Sequence, residues 1–171
     1  MKSRLSLLLL LMMMHSGTRA QDPEFPRKEF LLQACLHNGL VSDFHAAPDL
    51  YLGGIQLRPQ VTVVEHLLRT GFVSDLFYTG KRWQTAWGPL VCIKLKTLGL
   101  KEFGSAGNLN LCLNHLWGSR HQRLVGASLQ AELLNLVQLG IGAQRDYYLN
   151  NWWLQGSFGF RINRIKQPPH P

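Results

Sequence analysis

Past its first twenty residues the sequence lacks any run of about 18 apolar residues, the length that marks a membrane-crossing helix. Cysteine is scarce. The three present, Cys35, Cys92 and Cys112, have no zinc-binding spacing, and none closely follows the N-terminal apolar stretch, so a lipidated N-terminus is not expected. Phosphate-binding loops and nucleophile elbows are missing too. His37, His45, His66 and His121 have no partner at a diagnostic spacing. From Glu29 to Ile162 there is no linker, low-complexity tract or repeat, which leaves one domain. Basic residues are scattered along the chain, whereas a nucleic-acid binder gathers them on one face; contact with anionic lipid headgroups is the better use for them. No metal and no cofactor is expected.

The start of the chain reads as an export signal. Lys2 and Arg4 precede an apolar stretch, Leu5 to Met14, and Thr18 and Ala20 form a small-x-small cleavage signature before Gln21. Loss of residues 1–20 removes Lys2, Arg4 and Arg19 and no acid, taking the net charge from +8 to +5. Residues 21–28, QDPEFPRK, then form an extended lead-in, residues 29–162 the folded domain, and 163–171 a tail.

What the chain does have is alternation. Trp152, Leu154, Gly156, Phe158, Phe160 and Ile162 interleave with Trp153, Gln155, Ser157, Gly159 and Arg161. Val125, Ala127, Leu129, Ala131 and Leu133 interleave with Gly126, Ser128, Gln130 and Glu132, and Val137, Leu139, Ile141 and Ala143 with Gln138, Gly140, Gly142 and Gln144. A strand sends successive side chains to opposite faces, so each piece is a ribbon with one apolar and one polar face. The helical reading of LQAELLNLVQL is disfavoured by the glycines on its polar parity. The same period divides the domain into eight strands, beginning near residues 29, 50, 67, 83, 108, 124, 137 and 151. The third is the least regular, with Val73 and Phe77 on the polar parity, which a bulge or an inward apolar pair explains. Pro89 in the fourth marks a bulge or weak point.

Aromatics collect at one end. Tyr51, Phe77, Tyr78, Trp83, Trp87, Trp117, Tyr147, Tyr148, Trp152 and Trp153 all lie near the first, third, fifth and seventh connections. Rings with polar edges form such girdles at membrane interfaces. The fold class expected is therefore all-β, an eight-stranded antiparallel up-and-down transmembrane β-barrel.

With its export signal, eight dyad-repeat strands and girdle, the chain resembles the small eight-stranded outer-membrane barrels of Gram-negative bacteria, the class of the OmpA membrane domain and OmpX. The resemblance rests on pattern over Glu29 to Ile162. It departs at the end, where Phe160 is followed by Arg161, Ile162 and a tail instead of closing the last strand. It implies a bacterial outer-membrane address, outer-membrane lipid as surroundings, and the barrel-assembly machinery as partner during biogenesis.

In such a barrel the polar parity faces a lumen just wide enough to be filled by side chains. Arg58, Arg69, Asp75, Lys94, Lys96, Glu132 and Arg161 are expected to form an ion-paired plug there, because an unpaired buried charge is costly; an anion-selective narrow pore is the alternative. Cys92 and Cys112 fall on neighbouring strands and one face, the only pair open to oxidation, although three inert thiols is the preferred reading. An enzyme centred on His115 is considered because similar-sized barrels include lipid A deacylases. In those the serine lies two residues after the histidine. Here that place holds Trp117, Ser119 lies in the following loop, and Glu132 has lumen parity. The preferred role is structural, interactive or narrow transport. A lipid A-modifying enzyme and a soluble exported lipocalin-like carrier, with the polar parity outside, are the alternatives.

Overall fold

A computed structural model describes residues 30–44, 49–100, 104–134 and 136–163. The expected signal peptide, lead-in and all but the first residue of the tail lie outside the described residues, as does His45. Eight strands follow in order: β1 (Phe30–Ser42), β2 (Leu50–Val64), β3 (Leu68–Thr79), β4 (Arg82–Leu100), β5 (Gly104–Gly118), β6 (Arg123–Leu133), β7 (Val137–Asp146) and β8 (Asn151–Arg161). Each pairs antiparallel with the next, and β8 closes onto β1 through pairs such as Ala34↔Phe160 and Leu40↔Leu154. The result is an up-and-down barrel without a free sheet edge, and no helix occurs among the described residues.

The turns follow from local chemistry. Thr79 and Arg82 close a two-residue hairpin in which Gly80 and Lys81 both have positive φ, 55° and 62°. That is a type I′ turn, whose twist matches the strands it joins. At the β7–β8 turn, Asp146 Oδ1 accepts the backbone N–H groups of Tyr148 and Leu149, at 3.0 and 3.1 Å.

Parity then sorts the side chains. Leu36, Ile55, Leu57, Val61, Leu76, Leu113, Leu129, Leu139 and Ile141 are exposed on the outer wall, while Gln33, Gln56, Arg58, Gln60, Gln130, Glu132 and Gln138 are buried inside. A water-soluble carrier would show the opposite arrangement.

Two alternatives that the sequence leaves open are decided, and one detail differs from its reading. The irregular parity of β3 is an inward apolar pair and no bulge: Val73 and Phe77 point inside while β3 and β4 keep unbroken register. Pro89 interrupts the β4–β5 ladder between Trp87↔Trp117 and Leu90↔Asn114 without shifting it, as a residue that cannot donate a ladder hydrogen bond does. The β4–β5 register shifts instead between Lys94↔Asn110 and Lys96↔Leu109.

Candidate functional site

The interior is built from two kinds of side chain. Toward the end bearing the first, third, fifth and seventh connections, Val41, Leu52, Phe77, Ala86, Leu90, Leu116, Leu124 and Trp153 form a buried apolar cluster together with Cys92 and Cys112. Toward the other end the filling is polar. On β1, Val41 lies beyond His37 and Gln33; on β2, Leu52 beyond Gln56, Arg58 and Gln60; on β6, Leu124 beyond Gln130 and Glu132.

Within the polar half two groups form. Arg69 Nη1 donates to both oxygens of Glu132, at 3.1 and 3.0 Å. Glu132 Oε1 also accepts Gln33 Nε2 at 3.0 Å, and Gln33 Oε1 accepts Gln60 Nε2 at 2.9 Å. Such a pair is tolerated because both charges are neutralised and hydrogen-bonded where water is scarce. Arg161 borders this group from β8 and donates its Nε to the Asn163 carbonyl at 3.2 Å.

The second group centres on Asp75. Its Oδ1 accepts His37 Nε2 at 2.9 Å and its Oδ2 accepts Gln56 Nε2 at 2.8 Å. Arg58 in turn donates Nε to Gln56 Oε1 at 3.0 Å. His37 was not read as a site residue from the sequence. Its inward parity was legible, but its partner lies two strands away. Gly54 makes the reach possible, since a Cβ there would sit 2.6 Å from His37 Nε2.

The expected lumen network includes one hydrogen-bonded group with Arg58 and Asp75 and another with Arg69 and Glu132, and it needs one correction. Lys96 is not inside. The register shift after Lys94 adds one residue to β4, so parity flips: Lys96 is exposed opposite Leu109, and Thr97 takes the inward place opposite buried Asn108. Lys94, before the shift, is half-buried opposite Asn110.

Around the outside, Tyr51, Trp83, Trp87, Trp117, Tyr147 and Trp152 are exposed, and Tyr78 half so. Neighbouring rings touch. Phe72 stacks on Trp87 at 5.9 Å, Trp87 meets Trp117 at 5.4 Å, and Trp117 meets His115 at 4.6 Å. Trp152 lies under the Arg145 guanidinium at 5.2 Å. Trp153 does not belong to this belt. It is only 3 % exposed, and so faces the interior, as does Phe77. Proximity to a connection placed both in the girdle, whereas strand parity sends both inward.

The residues weighed for catalysis are not brought together. His115 Nε2 is hydrogen-bonded to Tyr147 Oη at 2.9 Å, and Ser119 Oγ accepts the Thr85 N–H at 3.3 Å. Glu132 lies seven residues along β6 from Val125, the cross-strand partner of His115, which is roughly 23 Å of strand. Cys92 and Cys112, directly opposed on β4 and β5, are disulfide-bonded, which corrects the preference for three thiols, and Cys35 is free and buried. Among the described residues no cluster of three His, Cys, Asp or Glu could hold a metal ion.

No family model matches this chain, and no curated protein matches it in sequence. Among solved structures it is similar to a de novo designed transmembrane β-barrel, at 7 % identity and TM-score 0.50, over 77 % of this chain and 95 % of that one. It also aligns with the de novo designed TMB2.3, solved by solution NMR, at 12 % identity and TM-score 0.49, over 85 % of this chain and all of that one. At these identities the first likeness concerns fold alone: a small, closed, eight-stranded antiparallel β-barrel.

Proposed function

We propose that the protein is a β-barrel of the bacterial outer membrane with a sealed interior, serving in structure or interaction and not as a conduit. The observation that carries this reading is the polarity of the wall. Large apolar side chains cover the outside, and Arg69, Glu132, His37 and Asp75 are enclosed inside. In water that arrangement leaves an apolar surface far larger than a soluble monomer tolerates; in a bilayer it is the stable one, because closure pairs every strand with a neighbour on both sides. The aromatic belt fits a headgroup interface. The interior filling supports the sealed state: the apolar cluster around Phe77 and Trp153 occupies the lumen beside buried Gln84, Gln122 and Gln144, and the ion-paired groups fill the other half. On this reading the surrounding lipid and, during biogenesis, the barrel-assembly machinery are the partners.

The test is fractionation followed by gel migration. Closed membrane barrels resist detergent until boiled. The expected result is a protein of the outer-membrane fraction that migrates differently before and after boiling, and that shows no conductance in planar bilayers. A periplasmic protein without that shift would overturn the membrane reading, and steady conductance the sealed one.

A further inference from the structure

In a bilayer an apolar wall gains no hydrophobic drive by exchanging lipid for protein, so contact there is decided by shape and by polar pairing. The sector from β2 to β4 offers both, in two matching halves. β2 descends from exposed Asp49 through Tyr51 to Gly53. Gly53 has no side chain to thicken the wall, and the Tyr51 ring leans over it: a Cβ there would collide with the Tyr51 hydroxyl, which donates to Asn38 Oδ1. Between that ring and the Tyr78–Trp83 pair runs a groove of about 510 Å³, floored by Leu36 and Ile55. β4 descends from a turn with exposed Lys81 and Arg82 to Trp83, which is 64 % exposed and meets Tyr78 edge to face at 5.6 Å.

β2 thus carries an acid above a groove, and β4 carries cations above a protruding ring. Tyr78 of β3 stands between them, opposite Gly53 on one side and Trp83 on the other. Asp43, half-buried on the same connection as Asp49, makes the balance two acids to two cations. Among the described residues no ion pair within the chain joins Asp49 to Lys81 or Arg82.

Such an arrangement is self-complementary. An isologous contact sets one patch against itself across a two-fold axis, so each feature must find its complement equally far on the other side of that axis. An axis running along the barrel over β3 meets this condition, because β2 and β4 lie one strand spacing, about 5 Å, to either side of it. A second copy turned through half a turn presents its β4 to the first copy's β2. Its Trp83 enters the groove beside Tyr51, and its Lys81 and Arg82 come over Asp49. The same contacts repeat in the other direction.

We propose that this face binds a second copy of the chain, in a two-fold dimer with Trp83 of each copy in the groove of the other and Asp49 paired with Lys81 and Arg82. The proposal rests on the membrane reading above, in which lipid covers the remaining wall.

The experiment uses the full chain refolded in detergent micelles. The gel shift on boiling checks folding, and native mass spectrometry reads the mass. Wild type should release dimers. Asp49→Lys, and separately Lys81→Glu with Arg82→Glu, set like charges against each other and should release monomers. Mixing these two variants in equal amounts should restore dimers, each with one chain of either kind, because both charge contacts are then complementary again. Trp83→Ala should release monomers as well, while Tyr148→Ala, on the β7–β8 turn across the barrel, should keep the dimer. If Trp83→Ala loses the gel shift, Ile55→Trp, which fills the groove, takes its place with the same expectation. A monomeric wild type that keeps the shift would overturn the proposal and leave the membrane reading standing; lipid adducts on those monomers would give the groove to lipid. A mixture that stays monomeric would overturn it too, as would a Tyr148→Ala variant that loses the dimer as Trp83→Ala does. Large aggregates without any gel shift in wild type would instead sink the membrane reading itself.

Discussion

The ring of Phe77 on β3 and the indole of Trp153 on β8 meet edge to face inside the barrel, their centroids 5.1 Å apart. Edge-to-face contact sets the positive rim of one ring against the negative face of the other, and is favourable by about 1 kcal/mol beyond the area buried. Here it also joins β3 to β8 across the interior, within the apolar cluster. Replacing Trp153 with Ala should destabilise the barrel by about 3 kcal/mol, read as a lower urea midpoint in lipid vesicles. The double replacement of Phe77 and Trp153 by Ala should admit ions where wild type does not, measured in planar bilayers.

Arg69 and Glu132 pose a different question, since a buried ion pair is more damaging to break than to lack. Glu132→Gln leaves the Arg69 guanidinium without its counter-charge and should cost about 3 kcal/mol or more. Arg69→Met with Glu132→Leu removes both charges and should cost less than the two single changes added together. A double-mutant cycle in urea supplies the coupling energy. Additive effects would mean that the pair does not act as a unit.

For His115, the hydrogen bond to Tyr147 and the contact with the Trp117 ring describe an interfacial side chain and no nucleophile pair. His115→Ala should leave the mass spectrum of lipid A unchanged in cells carrying the variant, with a stability loss of about 1 kcal/mol or less from the missing hydrogen bond. A lipid A species that disappears with the histidine would revive the enzyme.

Much of this wall was legible because a strand's period is fixed by backbone geometry. Once one face must be apolar, each residue's side follows from counting, and so the eight strands and the inward places of Arg58, Arg69, Asp75 and Glu132 could be read. Counting fails where the backbone inserts a residue. Nothing in the residue types around Lys94 and Lys96 announced the shift that turns Lys96 outward. Pairing across strands was the other gap. His37 meets Asp75 through the space over Gly54, and that contact depends on the register of β1, β2 and β3 together, which no single strand encodes. The apolar half of the lumen was legible only as an inward Val73–Phe77 pair, one of two alternatives, for a simpler reason. Phe77 and Trp153 had the right parity, yet their closeness to connections suggested the belt, and a residue next to a turn can face either way.

The disulfide gives the last prediction. Cys92 and Cys112 lie 20 residues apart in sequence and directly opposite in the β4–β5 ladder, their bond inside the apolar cluster. Linking them shortens the unfolded chain's freedom, an effect of about 3 kcal/mol for a loop of this length. Cys92→Ser with Cys112→Ser should therefore lower stability by about that amount, with some further loss from placing two hydroxyls among apolar neighbours. Mass spectrometry gives the independent check. Alkylation without reductant should leave the folded protein unlabelled, because Cys35 is buried under Gly159, whose would-be Cβ lies 2.5 Å from its sulfur. After unfolding without reductant, one label should appear; after unfolding with reductant, three. Three labels without reductant would show that the cross-strand bond does not form in the cell, and the double variant should then lose only what its two buried hydroxyls cost.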